Sequence, residues 1–236
     1  MTGKVQGNNA AERPGAIEPR LVVDDVYGQL VTLIMDGHVR PGDALSIDAL
    51  GREFKVSSTP LREALARLES TGLVRRYANR GYRVAPLLTQ AELSDLVDAR
   101  LVLEPVAARK AASEPDAEFI TALKAAVEDL AAAPRGNDFE TFRDYLEADQ
   151  RFHLLIFASA GNEFLAQAYA PLGGQLQRFR LFSGGGVADA SHTIAEHTAV
   201  LRGIESRDPE AAAAAMTAHL EGVRKRTLEE IAAHEH

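Results

Sequence analysis

The 236-residue chain contains no cysteine. Disulfides, thiolate metal sites and cysteine nucleophiles are therefore excluded, and nothing points to an oxidising compartment. No apolar run approaches the roughly 20 residues needed to span a bilayer. The opening stretch "MTGKVQGNNAAERPGA" lacks the apolar segment of a secretory signal, so a cytoplasmic protein is the default expectation. Gly, Asn and Pro without apolar periodicity mark residues 1–18 as a disordered tail. Strand alternation and a repeat period are missing beyond residue 89. What is present is ordinary globular usage, 46% hydrophobic and 25% charged, enough to bury a core in one large domain or two modest ones.

Charge is unevenly spread. The chain as a whole carries a formal net charge of −8, yet residues 19–87 hold 10 Lys+Arg against 8 Asp+Glu, and residues 88–236 hold 14 against 24. A basic part joined to a strongly acidic part predicts two domains with different partners.

In the first part, Val22, Val23, Val26, Leu30, Leu33 and Ile34 fall at helical spacing over 21–35, and Gly37 with "RPGD" ends that helix. Ser46 is an N-cap candidate for a short helix through Phe54. A third helix follows "KVSSTP", with Leu61, Ala64, Leu65 and Leu68 as its buried stripe and Gly72 as its stop. Two β-prone runs, 73–77 and 82–85, flank the turn "ANRG". Helix, turn, helix and hairpin is the plan of a winged helix-turn-helix, whose second paired helix enters the DNA major groove. Burial of the leucine stripe leaves Ser58, Thr59, Arg62 and Arg67 facing outward, with Arg62 suited to guanine and the hydroxyls to phosphates or bases. Arg75, Arg76, Arg80 and Arg83 crowd the hairpin, and its tip Asn79-Arg80-Gly81 suits a minor groove, where glycine permits close backbone approach. The bland alternative is a solvated hairpin whose arginines pair with acids of the other domain.

Pro86 and the capping-box pattern Thr89-x-x-Glu92 begin a new helix, so the boundary is set near residue 87. Beyond it, breaks at "SEPD", "PRGND", "SAGN", "SGGG" and "RDP" delimit about six helices, predicting an all-α antiparallel bundle over 88–236. "DQRFH" puts Asp149 and His153 on one helical face. His197 and His219 lie 11 residues on either side of Asp208, so an antiparallel turn at "RDP" sets both at the same height. One carboxylate and three imidazoles suit a divalent ion, with zinc, nickel or manganese as candidates. Such a set leaves up to two positions of a six-coordinate ion for the oxygens of a small carboxylic acid. Arg100 and Glu104 read either as an ordinary i, i+4 ion pair or with Arg100 as a fork for an effector carboxylate. Asn162 reads either as a polar effector contact or as a helix cap. His192, His234 and His236 do not fit the pattern and are expected at the surface.

The stretch 37–87, "GHVRPGDALSIDALGREFKVSSTPLREALARLESTGLVRRYANRGYRVAPL", resembles the DNA-binding domain of the GntR family of bacterial transcription regulators. The Pro-Gly turn, the "TPLREAL" run and the "NRGYRV" wing carry the likeness, which implies a homodimer on a palindromic double-stranded operator. Ser58 departs from it, since the family usually has arginine there. The bundle resembles the FadR subfamily, whose metal-containing branch holds its ion with one aspartate and three histidines. Asp149, His153, His197 and His219 match those positions, and Arg100 matches an arginine near the effector. The expectation is a DNA-binding repressor controlled by a carboxylate metabolite. The alternatives are a metal-dependent hydrolase-type enzyme, or a regulator whose metal is purely structural.

Overall fold

The computed structural model describes residues 19–134, 139–173 and 189–234. The tail 1–18, "SGGG" and all of "PRGND" except Pro134 fall outside them. Helix α1 (Pro19–Met35) runs into a turn and the two-residue strand β1 (Ala44–Leu45), followed by α2 (Ile47–Phe54) and α3 (Ser58–Ser70). Strands β2 (Val74–Tyr77) and β3 (Gly81–Val84) form the hairpin, and β1 adds to the far edge of β3, giving the antiparallel order β1-β3-β2. The bundle consists of α4 (Gln90–Ser113), α5 (Ala117–Ala132), α6 (Phe139–Ser159), α7 (Glu163–Gly173), α8 (Ala190–Glu205) and α9 (Pro209–His234) among the described residues. No helix among them is long and apolar enough to cross a membrane.

Local chemistry accounts for the boundaries. The Ser46 hydroxyl accepts from Ala49 N–H at the start of α2, and Lys55 ends that helix in the left-handed region at φ 57°. Asn79 (φ 60°) and Gly81 (φ 71°) supply the positive dihedrals that the wing turn needs. At α4 the capping box forms in full: Thr89 Oγ1 accepts from Glu92 N–H, and the Glu92 carboxylate accepts from Thr89 N–H. Strand β1, not expected from sequence, is fixed by Gly42 N–H donating to Val84 O and Val84 N–H donating to Asp43 O.

The N-terminal module shares an apolar cluster with one end of the bundle, whose main core, around Leu123, Phe152, Val200 and Leu220, is a separate cluster. The apolar core of the N-terminal module, built on Leu30, Ile34, Leu61, Leu65 and Leu68, continues without a break into Leu130, Tyr145 and Leu146 of α5 and α6. A cavity of about 160 Å³ remains at this seam, lined by Tyr27, Val31 and Leu73 on one side and Arg143 and Leu146 on the other. In the bundle, the hairpin of α8 and α9 is tightly closed. Its backbones approach so closely that a Cβ on Gly203 would lie 2.6 Å from Ala212 N, so glycine is required at that crossing.

Candidate functional site

In the N-terminal module, Leu61, Ala64, Leu65 and Leu68 of α3 are buried and Ser58, Thr59 and Arg62 are exposed on its first turns. The hairpin tip Asn79, Arg80 and Gly81 is exposed as well, as is Arg75. Other expected contributors are otherwise engaged. Arg67 bonds Asp24 Oδ1 at 2.5 Å and stacks over the Tyr27 ring, 4.5 Å from its centroid, so it braces α3 against α1. Arg83 donates to the Gly42 carbonyl and so fastens β3 to the turn before β1. Arg76 lies over the Tyr82 ring. Of the four hairpin arginines, Arg80 at the tip and Arg75, opposite Arg83 and away from the turn, remain for a partner. The field of Arg75 reaches Glu92 at the head of α4 and contributes to lowering that carboxyl below its ordinary range, behind the hydrogen bonds from Thr89.

The second cluster lies inside the bundle. Asp149 and His153 come from α6, His197 from α8 and His219 from α9. All three imidazoles are buried, and one ligand nitrogen from each lies within 4.8 Å of the others. Ring centroids are 5.1 Å apart for His153 and His197, 5.4 Å for His153 and His219, and 4.6 Å for His197 and His219. Asp149 Oδ1 lies 3.6 Å from His197 Nε2 and keeps some solvent exposure. Phe152, one residue before His153, stacks on the His197 ring at 4.0 Å and 7° and fixes its plane.

Two carboxylates stand behind these rings. His153 Nδ1 lies 2.6 Å from Glu104 Oε2, and His219 Nδ1 lies 2.9 Å from Glu196 Oε2. In His219 the hydrogen bond of Nδ1 to Glu196 leaves Nε2 as the nitrogen with a free lone pair, the usual arrangement of metal-binding histidines. In His153 both ring nitrogens are buried without a hydrogen bond among the described residues, as is Glu104 Oε2, so the 2.6 Å approach is a close contact and not an aligned hydrogen bond. An unpartnered buried nitrogen is costly, and a cation would satisfy it. Burial is the main cause that lowers the His219 pKa below the ordinary imidazole value, which favours the neutral, ligating form. The donor set therefore fits a divalent ion.

Glu104 has a second partner. Burial alone would raise its pKa, but the charges of Arg100 and His153 outweigh that and hold it at about 2. Arg100 donates its Nε–H to Glu104, and both side chains are almost wholly buried. The sequence offers two readings of Arg100, and both leave a mark. It points into the bundle, and it is paired with Glu104. Asn162, the other effector candidate, accepts through Oδ1 from Phe164 N–H and Leu165 N–H and so caps α7, the second of its two sequence readings. His192 is exposed as expected, whereas the His234 side chain and His236 lie outside the described residues.

Sequence reasoning misses Glu104 and Glu196 as site residues. Both read as helix-pairing groups, Glu104 as the partner of Arg100 one turn before it. Only adjacency to a ligand histidine, Glu196 next to His197, marks one of them.

An N-terminal winged helix-turn-helix with an exposed recognition helix, joined to a helical bundle holding a buried histidine cluster, defines a DNA-reading module coupled in one chain to a separate helical domain. The chain belongs to the GntR family of bacterial regulatory proteins and carries an FCD domain: residues 22–84 match the former and residues 95–222 the latter. It is 26% identical over 193 residues to the uncharacterized HTH-type transcriptional regulator YdhC of Bacillus subtilis, covering 82% of this chain and 85% of that protein. It is likewise 26% identical over 202 residues to the HTH-type transcriptional repressor RspR of Escherichia coli, covering 86% and 87%. The solved structure of E. coli McbR/YncC superposes with a TM-score of 0.71 over 89% of this chain and 98% of that one, at 18% identity, a likeness of fold. The protein is a DNA-binding transcription regulator and not an enzyme, which removes the hydrolase alternative.

Proposed function

We propose that this protein is a metabolite-responsive repressor of the cytoplasm that binds a palindromic operator as a homodimer and is controlled by a small carboxylic acid at a divalent metal. The observation that carries this reading is the convergence of three buried imidazoles from three helices, two of them backed by carboxylates, in a bundle packed against a DNA-reading module. Asp149, His153, His197 and His219 would hold the ion. Zinc, nickel or manganese in that set would supply Lewis-acid attraction for the carboxylate and hydroxyl or keto oxygens of the effector. Arg100 would add a charged donor for the acid, beside its bond to Glu104.

On the DNA side, Ser58, Thr59 and Arg62 would meet the major groove, and Asn79, Arg80 and Gly81, with Arg75, the backbone and minor groove. Arg67 is held by Asp24 and Tyr27 and contributes chiefly to positioning α3.

Helix α6 supports a coupling between the two. It carries Asp149 and His153 toward the cluster, and one to two turns earlier it carries Leu146 into the core of the N-terminal module. From the same stretch Arg143 Nη2 donates to Thr32 Oγ1 of α1. An acid that draws α6 toward α8 and α9 would bias how the module sits, and differential affinity for two such arrangements shifts operator occupancy.

The test is binding of the purified protein to duplexes from its own promoter region across a salt series, with a panel of small carboxylic acids, with and without a chelator. The expected result is salt-dependent binding that one class of acid weakens, with that response abolished by chelation and by His219→Ala. An unchanged response in His219→Ala would remove the metal from the mechanism. Indifference to every duplex at low ionic strength would overturn the operator assignment.

A further inference from the structure

The carboxylate behind His219 is itself held in place by two further residues. Glu196 on α8 accepts the His219 Nδ1 contact at 2.9 Å through Oε2. Arg226 on α9 grips both oxygens of the same carboxylate, donating from Nη1 to Oε1 at 2.7 Å and from Nη2 to Oε2 at 2.8 Å. Its remaining donor, Nε, bonds Asp189 Oδ2 at 2.7 Å, just ahead of α8. Between His219 and Arg226 on the same helix stands Gly222. A Cβ on it would lie 2.5 Å from Glu196 Oε1 and 2.8 Å from Arg226 Nη1.

A plain ion pair between α8 and α9 would need neither the imidazole nor the glycine. Glycine inside a helix costs about 1 kcal/mol relative to alanine. Here its missing side chain is the space that the carboxylate occupies. The bidentate fork fixes the plane of the carboxylate, and a fixed carboxylate selects one orientation of the ring that touches it.

We infer that Glu196 is a positioning residue for the metal centre, holding His219 with Nδ1 as donor and Nε2 toward the ion, and that Arg226 and the bare Cα of Gly222 keep Glu196 in register. The inference rests on the metal reading proposed for the cluster and concerns residues outside its ligand set. Loss of Glu196 leaves Arg226 partly exposed and still bonded to Asp189, so the bundle should survive it. Gly222→Ala probes the same contact without deleting any polar group, and by helix propensity alone it should stabilise α9.

The experiment uses the full chain with Zn²⁺ and Co²⁺ as probes. It measures affinity by competition with a chromophoric chelator, the Co²⁺ d–d absorption band, and the unfolding midpoint of each metal-free variant. Glu196→Ala should weaken metal binding by about 10- to 100-fold and shift the Co²⁺ band. Glu196→Gln, which keeps an acceptor for Nδ1–H, should recover part of that loss. Gly222→Ala should weaken binding without lowering the unfolding midpoint. If His219→Ala loses metal while Glu196→Ala and Gly222→Ala keep wild-type affinity and spectrum, the positioning role is wrong and the metal reading stands. If Glu196→Ala lowers only the unfolding midpoint, its role is structural and the inference fails. If the wild-type chain takes up neither ion, the metal reading fails and the inference falls with it.

Discussion

Arg100 and Glu104 form an ion pair one turn apart inside α4, and the packed bundle removes both side chains from water. An exposed pair at this spacing is worth a few tenths of a kcal/mol. A buried one behaves differently, because removing one partner strands the other charge in a poorly solvated interior. Glu104→Gln should therefore destabilise the metal-free protein by about 3 kcal/mol at neutral pH. The Glu104 carboxyl is held at about 2, below its unfolded value near 4.3. Its contribution is therefore fully present above the unfolded value and is lost as pH falls toward 2. Urea unfolding at several pH values checks this: the gap between wild type and variant should close on acidification, and a gap independent of pH would refute the assignment.

The two outward arginines of α3 should separate cleanly. Arg62 is exposed on the first turns, whereas Arg67 is committed to Asp24 and Tyr27. Arg62→Ala is expected to cost about 1–3 kcal/mol of operator affinity and to relax preference at one base pair. Arg67→Ala should instead lower the stability of the module, with a smaller effect on base preference. Arg80→Ala at the wing tip should reduce the salt slope by about 1. Fluorescence anisotropy over a salt series, on the operator and on point-substituted operators, distinguishes the three.

The α8–α9 crossing makes a prediction about stability alone. A methyl on Gly203 would meet the backbone of Ala212, which has no rotamer through which to yield. Gly203→Ala should lose about 1–3 kcal/mol in spite of alanine's better helix propensity. Equal or higher stability by urea unfolding would show that the two helices can separate without cost.

Arg143 tests the route between the sites. It touches Thr32 of α1 from the helix that carries Asp149 and His153. Arg143→Ala should leave metal affinity unchanged and reduce the effector's influence on operator binding by about 0.5–2 kcal/mol of coupling. Titrations of DNA binding with and without a responding acid read this directly. Unaltered coupling would move the route away from the Thr32 contact.

The parts of this structure that are legible in the sequence are those written in local chemistry. Thr89 and Glu92 announce the head of α4 because a capping box is a four-residue pattern. Asn79 and Gly81 announce the wing because few residues accept positive φ. His197 and His219 can be paired because one short turn fixes the heights of two antiparallel helices, and their rings do meet, edge to face, at 4.6 Å. Strand β1 stays invisible, since two residues carry no alternation and their partners, Arg83 and Tyr82, lie far along the chain. Glu104 and Glu196 stay invisible as supports for His153 and His219, because those contacts join different helices that only packing brings together. Asn162 is ambiguous for the opposite reason: a cap and a ligand contact can use the same amide, and the structure shows the cap, with the N–H groups of Phe164 and Leu165 on Oδ1.

The apolar seam from Leu30 and Leu65 to Tyr145 and Leu146 bears on how such regulators could be recombined. The two matched segments, 22–84 and 95–222, look like interchangeable cassettes when read as text. They share an interior, however, and a hybrid that grafts this DNA reader onto a foreign sensor would inherit half an interface. It would also have to transplant the complementary surface of α5 and α6, or accept a loosened joint through which no signal passes.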